Sequence, residues 1–223
     1  QHLEIIVVND GSTDRTSQIL KSCGDHRLKI INNDRCTGAS AARNRAIDAA
    51  SGELIAFLDA DDEWLPGKIE KQVDLYRSDN YTLISSASNE IAPDGTDVGD
   101  TCGNVPITTG HEAWRALLGD TFVHTSTVLV TRSATQQIGG FDTGLKIGED
   151  QDAWIKLARL GRVGYVYESL ARIHVRSGSL SRTDSSQELI YTLPMIRRHL
   201  ARLDGRLSQR EKDLIMARRM ARL

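Results

Sequence analysis

Over the first sixty positions, apolar and β-branched residues come in short bursts separated by polar, turn-forming stretches. Leu3-Glu4-Ile5-Ile6-Val7-Val8 predicts a buried strand of a parallel sheet, closed by Asn9-Asp10-Gly11-Ser12. Ser12 or Thr13 is placed to cap a helix carrying Ile19 and Leu20, with Asp14 complementing its dipole and Gly24 ending it. Leu28 to Ile31 predicts a second strand, and 32–38 a polar loop. An Ala-rich helix over 39–50 ends at Gly52, and Leu54 to Leu58 is a third buried strand. Strand–helix–strand–helix–strand implies an α/β unit with right-handed crossovers.

Beyond Asp62 the pattern loosens. Pro66 to Tyr76 predicts a helix, Tyr81 to Ser86 a strand, and Pro93-Asp94-Gly95 a turn between two strands. Glu112 to Leu118 reads as a short helix, His124 to Val130 as a strand, and Asp152 to Leu160 as a helix on its Trp154, Leu157, Ala158 spacing. Val163 to Tyr167 and Ala171 to Val175 read as late strands. Basic amphipathic helices near Glu188–Leu203 and Ser208–Arg222 close the chain.

Composition narrows the class. The 223 residues are 39% hydrophobic and 26% charged, which suits one soluble domain with a small appendage. No apolar run reaches the roughly 18 residues of a spanning helix. A net charge of −2 argues against a nucleic-acid binder. Cys23, Cys36 and Cys102 form no paired motif, which argues against a disulfide framework and fits a reducing, cytoplasmic compartment. Charge is unevenly spread: Arg197 to Leu223 carries nine basic and three acidic side chains, a net +6, leaving −8 for the rest.

In an open α/β sheet, ligands bind at the carboxyl ends of the strands, and two of the predicted strands end in acid. The first ends at Asp10 and the third at Asp59-Ala60-Asp61-Asp62. Three carboxylates in four residues repel one another. Either a divalent cation with oxygen ligands compensates them, or they form a solvated acidic turn. Arg43 lies on the helix before the third strand, as a solvated charge or a nucleotide contact. Glu149-Asp150-Gln151-Asp152 forms a second acidic cluster, either a general base or a helix cap with dipole partners. His174, followed by Arg176, is either structural or faces a diphosphate or a metal.

Taken together these segments resemble the family 2 glycosyltransferases of the GT-A fold. Glu4 to Asp14 looks like their second strand and its turn, and Gly38-Ala39-Ser40-Ala41-Ala42-Arg43-Asn44 like their Gly-x-x-x-Ala-Arg-Asn helix. Phe57 to Asp62 looks like their Asp-x-Asp metal motif, and Gly148 to Trp154 like their Glu-Asp catalytic motif. Ile173-His174 with Ser179 and Ser181 is similar to their late His–Ser loop. The likeness runs from about Leu3 to Arg182.

The resemblance implies a Rossmann-like, mostly parallel sheet flanked by helices. The glycosyltransferase domain would span 1–184, with a nucleotide-sugar half over 1–62 and an acceptor half over 63–184, and 185–223 would be a basic helical tail. The family's first strand–helix unit has no counterpart, so the chain reads as N-terminally clipped, with two strand edges left unpaired. Carried over by position, Asp10 binds the base, Arg43 the base or diphosphate, and Asp59 the ribose or sugar. Asp61 ligates Mn²⁺ or Mg²⁺, and His174 touches metal or diphosphate. Asp150 is the base, supported by Glu149. The expected reaction is metal-assisted, inverting transfer from a nucleotide-diphosphate sugar, UDP being the expected nucleotide, to a glycan or lipid-linked acceptor. The acceptor region would be 86–123 with the C-terminal helices, which either pack on the domain or dock on an anionic inner membrane face. The rival readings are a non-catalytic remnant that binds a nucleotide or a partner, and a sugar-nucleotide pyrophosphorylase. No Gly-x-Gly-x-x-Gly follows a strand, which argues against a dinucleotide dehydrogenase.

Overall fold

The computed structural model describes residues 3–100, 106–176, 185–203 and 205–221. Cys102 and the Ser179 and Ser181 positions of the His–Ser loop therefore lie outside the described residues. The first sixty residues form the expected alternation: β1 (Ile5–Asp10), α1 (Thr16–Ser22), β2 (Leu28–Asn33), α2 (Ala39–Ala49) and β3 (Leu54–Ala56). Asp14, rather than Ser12 or Thr13, serves the start of α1, accepting from the Thr16 N–H at 2.9 Å. A two-residue β4 (Glu63–Trp64), α3 (Lys68–Ser78), β5 (Tyr81–Ile91) and β6 (Asp97–Asp100) follow, then α4 (Ala113–Gly119) and β7 (Leu129–Thr131). The chain continues through α5 (Arg132–Gln137), α6 (Glu149–Leu160) and β8 (Arg162–His174). It closes with α7 (Ser185–Gln187), a π turn over Glu188–Thr192, α8 (Leu193–Ala201) and α9 (Gln209–Met220).

Two sheets result. β1 and β2 pair in parallel, Ile5 opposite Leu28 and Asp10 opposite Asn33. The larger sheet runs β3-β7-β5-β8-β4, with β6 on β5. It is mixed: β5 and β8 are parallel, and its other pairs among the described residues are antiparallel. β1 and β3 share no ladder, so each keeps an open edge among the described residues. The parallel expectation came from the strand–helix alternation of the first sixty residues. After α3 the chain instead reverses through tight turns such as Pro93-Asp94-Gly95, where Ala92 N–H bonds to Thr96 O at 2.8 Å.

Two strand expectations change. His124 to Val130 divides into a 3₁₀ turn (Thr125–Thr127) and the short β7. The polar Thr125, Ser126 and Thr127 side chains are buried there, and Thr127 Oγ1 bonds back to His124 O at 2.7 Å, local bonding that competes with a ladder. The two late strands are one, β8, whose pairing with β5 absorbs register shifts.

The core lies between the larger sheet and α4, α6 and α8. Leu83, Leu117, Val130, Trp154, Leu157, Val163, Met195 and Ile196 belong to one buried cluster, joined by Leu200, Leu203 and Leu207. The C-terminal helices thus contribute to the same core as the preceding domain. At α9, Ser208 and Glu211 form a capping box, and Arg219 is buried with Nε donating to Leu118 O at 3.1 Å. No helix among the described residues is long and apolar enough to cross a membrane.

Candidate active site

Asp10, at the carboxyl end of β1, holds the loop that leads into α2. Its carboxylate accepts from Asn33 Nδ2 at 2.6 Å, Thr37 Oγ1 at 2.7 Å, and the Thr37 and Gly38 N–H groups, each at 2.8 Å. Burial alone would raise its pKa, but these donors outweigh it and hold the carboxyl well below the usual carboxylate range. Gly11, beside it, takes a positive φ of 73°, and a Cβ there would sit 2.5 Å from the backbone N of Cys36. Only glycine lets β1's turn approach this loop so closely.

α2 then aims Arg43 at two acidic segments at once. Nη2 pairs with Asp59 Oδ1 at 2.8 Å and Nη1 with Glu149 Oε1 at 2.9 Å. Burial works against the guanidinium's charge, and Asp59 and Glu149 more than restore it. The guanidinium also stands 5.3 Å from the Phe141 ring centre. Asn44 pins the same loop, accepting from Phe141 N–H at 2.7 Å and donating to Phe141 O at 2.8 Å. Beneath, Phe57, Phe141 and Trp154 pack as a triangle with ring centres 5.4 to 5.9 Å apart. The acidic turn, the Phe141 loop and α6 are therefore joined above by one cation and below by three rings.

The Asp59–Asp62 turn is sorted by a residue the sequence did not single out. Buried Ser126, in the 3₁₀ turn, accepts from the Asp59 N–H at 3.0 Å and donates to Asp62 Oδ2 at 2.5 Å. Asp62 Oδ1 accepts from the His174 N–H at 3.0 Å. Burial raises the Asp62 pKa, and the charges of Asp59 and Asp61 add to the effect. The turn carrying Ser126 is itself framed from below: Trp64 Nε1 donates to Ser126 O at 2.8 Å, and Gln72 Nε2 to Thr127 O at 2.7 Å. Gln72 in turn accepts from buried Lys68 at 2.6 Å. With Asp59 on Arg43 and Asp62 on Ser126 and His174, Asp61 is left facing outward, 43% exposed and 3.6 Å from Arg176 Nε.

Glu149 and Asp150 open α6 behind an N-cap Gly148 in the left-handed region. Burial and the neighbouring Asp150 raise the Glu149 pKa, with Arg43 opposing. Asp150 Oδ1 accepts from the Gln151 N–H at 2.7 Å. Asp152 faces the other way: it meets His199 Nε2 at 2.9 Å and Lys156 Nζ at 2.5 Å. Burial pulls its pKa up, but these partners win and lower it.

His174 presents its backbone to the acidic turn and its ring to Glu63, Nε2 to Oε1 at 3.1 Å. Beside it lie two adjoining hollows. One of about 400 Å³ is lined by Ala92, Pro93, Gly95, His174, Val175 and Arg176, and one of about 290 Å³ reaches Glu63, Asp97 and Arg172. They flank the acidic turn on the β5–β6 side. Among the described residues no group of three or more His, Cys, Asp or Glu side chains is gathered into a metal cage. Sequence reasoning singled out the acids and Arg43 and quoted Asn44 only as part of a motif; it gave no part to Ser126 or Phe141, which hold them in place.

The family model described as glycosyl transferase family 2 matches residues 1–132, which include Asp10, Arg43, Asp59, Asp61 and Ser126. The putative teichuronic acid biosynthesis glycosyltransferase TuaG of Bacillus subtilis (strain 168) is 31% identical over 183 residues, 81% of this chain and 70% of that protein. The UDP-Glc:alpha-D-GlcNAc-diphosphoundecaprenol beta-1,3-glucosyltransferase WfaP of Escherichia coli is 31% identical over 185 residues, 82% of this chain and 70% of that one. Among solved structures, S. aureus TarS 1-349 in complex with UDP-GlcNAc superposes with a TM-score of 0.73 at 22% identity, over 97% of this chain and 62% of that chain. At that identity the likeness is one of fold. A family match over more than half of the chain, with relatives aligned over most of their own length, places this chain in glycosyl transferase family 2.

Proposed function

We propose that this chain transfers a sugar from a uridine-diphosphate donor to a hydroxyl of a glycan or lipid-linked glycan, with inversion at the anomeric carbon. The observation that carries the reading is Arg43, whose one guanidinium joins Asp59 of the acidic turn to Glu149 of the α6 cluster. The donor-side and acceptor-side carboxylates thereby belong to one site. The named relatives support the substrate class: WfaP acts from UDP-Glc on a diphosphoundecaprenol-linked sugar, and TarS has been captured with UDP and with UDP-GlcNAc.

In this reading Asp10 and its loop flank the base, Arg43 helps hold the base or the diphosphate, and Asp59 takes the ribose or sugar. Asp150 takes the proton of the acceptor hydroxyl as its oxygen bonds to the anomeric carbon and the bond to the diphosphate breaks. Glu149, buried against Arg43, supports Asp150 and keeps the start of α6 in place. Asp61 is the residue suited to a divalent cation. It is a hard oxygen ligand left outward-facing by the commitments of Asp59 and Asp62, and Mg²⁺ or Mn²⁺ commonly takes one or two carboxylates and fills its remaining positions from substrate phosphates. Such a cation supplies positive charge to the leaving diphosphate. His174 and Arg176 line the adjoining hollow, where His174 touches the diphosphate or metal and the β5–β6 hairpin walls the acceptor side. The protein works in the cytoplasm, where the basic C-terminal helices bring it to the inner membrane face for a lipid-linked acceptor.

Calorimetry of UDP, GDP and dTDP with and without Mn²⁺ tests the donor reading. UDP is expected to bind best, to need metal, and to lose that metal dependence in Asp61→Asn. Equal affinity with and without metal in the wild type removes the metal role. Asp150→Asn is expected to leave UDP affinity unchanged and to lower kcat by about 10²- to 10⁴-fold. Full turnover in that variant removes the base assignment.

A further inference from the structure

One face of the larger sheet carries a row of planar polar side chains across four strands. Glu63 of β4 stands opposite Arg172 of β8, and Arg172 opposite Asn89 of β5. Asn89 Nδ2 donates to Asp97 Oδ2 of β6 at 2.7 Å. His174, two residues beyond Arg172, shares its face and stands opposite Ile91. Glu63 binds the row at both of these positions, with Oε2 3.4 Å from Arg172 Nη1 and Oε1 3.1 Å from His174 Nε2. The hollow of about 290 Å³ opens onto this row, and Ile91 and Gly95 give it an apolar patch. It adjoins the acidic turn, because Glu63 follows Asp62 in sequence and the His174 N–H bonds to Asp62 Oδ1.

The charges of the row decide what it can hold. Glu63 and Asp97 flank Arg172 in this hollow, so an anion would meet two carboxylates for one guanidinium. The Asn89 and Gly99 bonds lower the Asp97 pKa, with the Arg172 charge assisting, so Asp97 is an ionised acceptor. A bare cation fits no better: Arg172 stands between the acids, and no group of three acidic, His or Cys ligands gathers among the described residues. Neutral hydroxyls fit. Each hydroxyl both donates and accepts, so a vicinal pair can serve a carboxylate and a guanidinium together. The C–H face of a sugar ring can then lie on Ile91. The volume is at the small end of the roughly 300–1,000 Å³ of ligand pockets, the scale of a monosaccharide unit rather than a whole nucleotide sugar.

We infer that the row from Glu63 to Asp97 is a subsite for a neutral sugar ring of the acceptor, with Arg172 and Asp97 as its specificity-determining side chains. The inference rests on the transferase reading above. Saturation-transfer NMR titrations of the full chain test it, with the methyl β-glycosides of glucose, galactose and N-acetylglucosamine as probes, each with and without UDP and Mn²⁺. The wild type is expected to bind at least one glycoside. Asp97→Asn and Arg172→Gln are each expected to weaken that binding about tenfold, because a charge-assisted bond to a hydroxyl becomes a neutral one. Inorganic phosphate at equal concentration is expected not to displace the glycoside. Calorimetric UDP affinity and melting temperature are expected to stay at wild-type values in both variants. Asp97→Asn keeps an acceptor for the Gly99 N–H, so the β5–β6 hairpin is retained even if Arg172→Gln loosens the sheet. No bound glycoside, equal affinity in wild type and variants, or displacement by phosphate each overturns the subsite. Glycoside binding by a wild type that fails to bind UDP would count against the donor reading and leave the subsite standing. UDP binding with no glycoside bound would do the reverse.

Discussion

Ser126 decides which carboxylate of the acidic turn meets solvent, because its hydroxyl accepts from the Asp59 N–H while donating to Asp62. Ser126→Ala leaves a buried carboxylate short of a donor. It is expected to cost about 1–3 kcal/mol in urea unfolding and to weaken metal-dependent UDP binding several-fold. Unchanged stability and affinity would show that the turn holds its own shape. Lys68 offers a second residue-level test. It is 1% exposed, and burial pushes its pKa down from 10.5 to about 7. Between those values the unfolded chain binds a proton that the native state lacks, so this residue's contribution raises stability as pH rises through that window. Urea titrations at pH 7, 8 and 9 are expected to show an upward slope of up to about 1.4 kcal/mol per pH unit relative to Lys68→Met. Parallel pH profiles would mean that Lys68 keeps its proton. Local motifs made Asp59, Asp61, Glu149 and Asp150 legible in the sequence. Ser126 was not, because it sits in a β-branched run that imitates a strand and its partners lie 64 and 67 positions away.

At the scale of elements, α6 is the member on which the site depends, and it is held from both sides. Arg43 meets it at Glu149, while His199 from α8 meets it one helical turn on at Asp152. Gly148 packs under the same C-terminal segment, since a Cβ there would come 3.1 Å from Thr192 Oγ1. A double-mutant cycle of His199→Gln and Asp152→Asn is expected to give a coupling energy of about 1–3 kcal/mol, because the pair is buried and charge-assisted. A coupling near zero would mean that Lys156 alone satisfies Asp152. The amphipathic pattern gave α2, α3, α4 and α6 to within a few residues. It could not give β4, which is two residues long, or α5, which is short and largely polar. Of the two alternatives it left for the C-terminal helices, packing on the domain is the one α8 adopts, with Leu193, Met195, Ile196 and Leu200 buried in the common core.

For the whole molecule, burial is distributed unequally. Among the described residues, Ile47 and Phe57 are the buried apolar side chains ahead of α3, whereas the sheet from β5 to β8 and its helices hold nearly all the others. α1 buries nothing. Hydrogen exchange is therefore expected to find β1 and β2 opening at a lower free energy than β5 and β8, and UDP with Mn²⁺ to slow exchange chiefly in the former pair. Uniform protection across both sheets would refute this division. The general fold was legible because alternating strands and helices announce it. The separation of the two sheets was expected from a missing neighbour, yet how little apolar burial supports the smaller one emerged only in three dimensions. The thin burial of β1 and β2 also makes them a reporter of the proposed donor site: UDP at a hundred times its dissociation constant would add about 2.7 kcal/mol to the folded chain, so proteolytic cleavage within this pair is expected to slow as UDP is added.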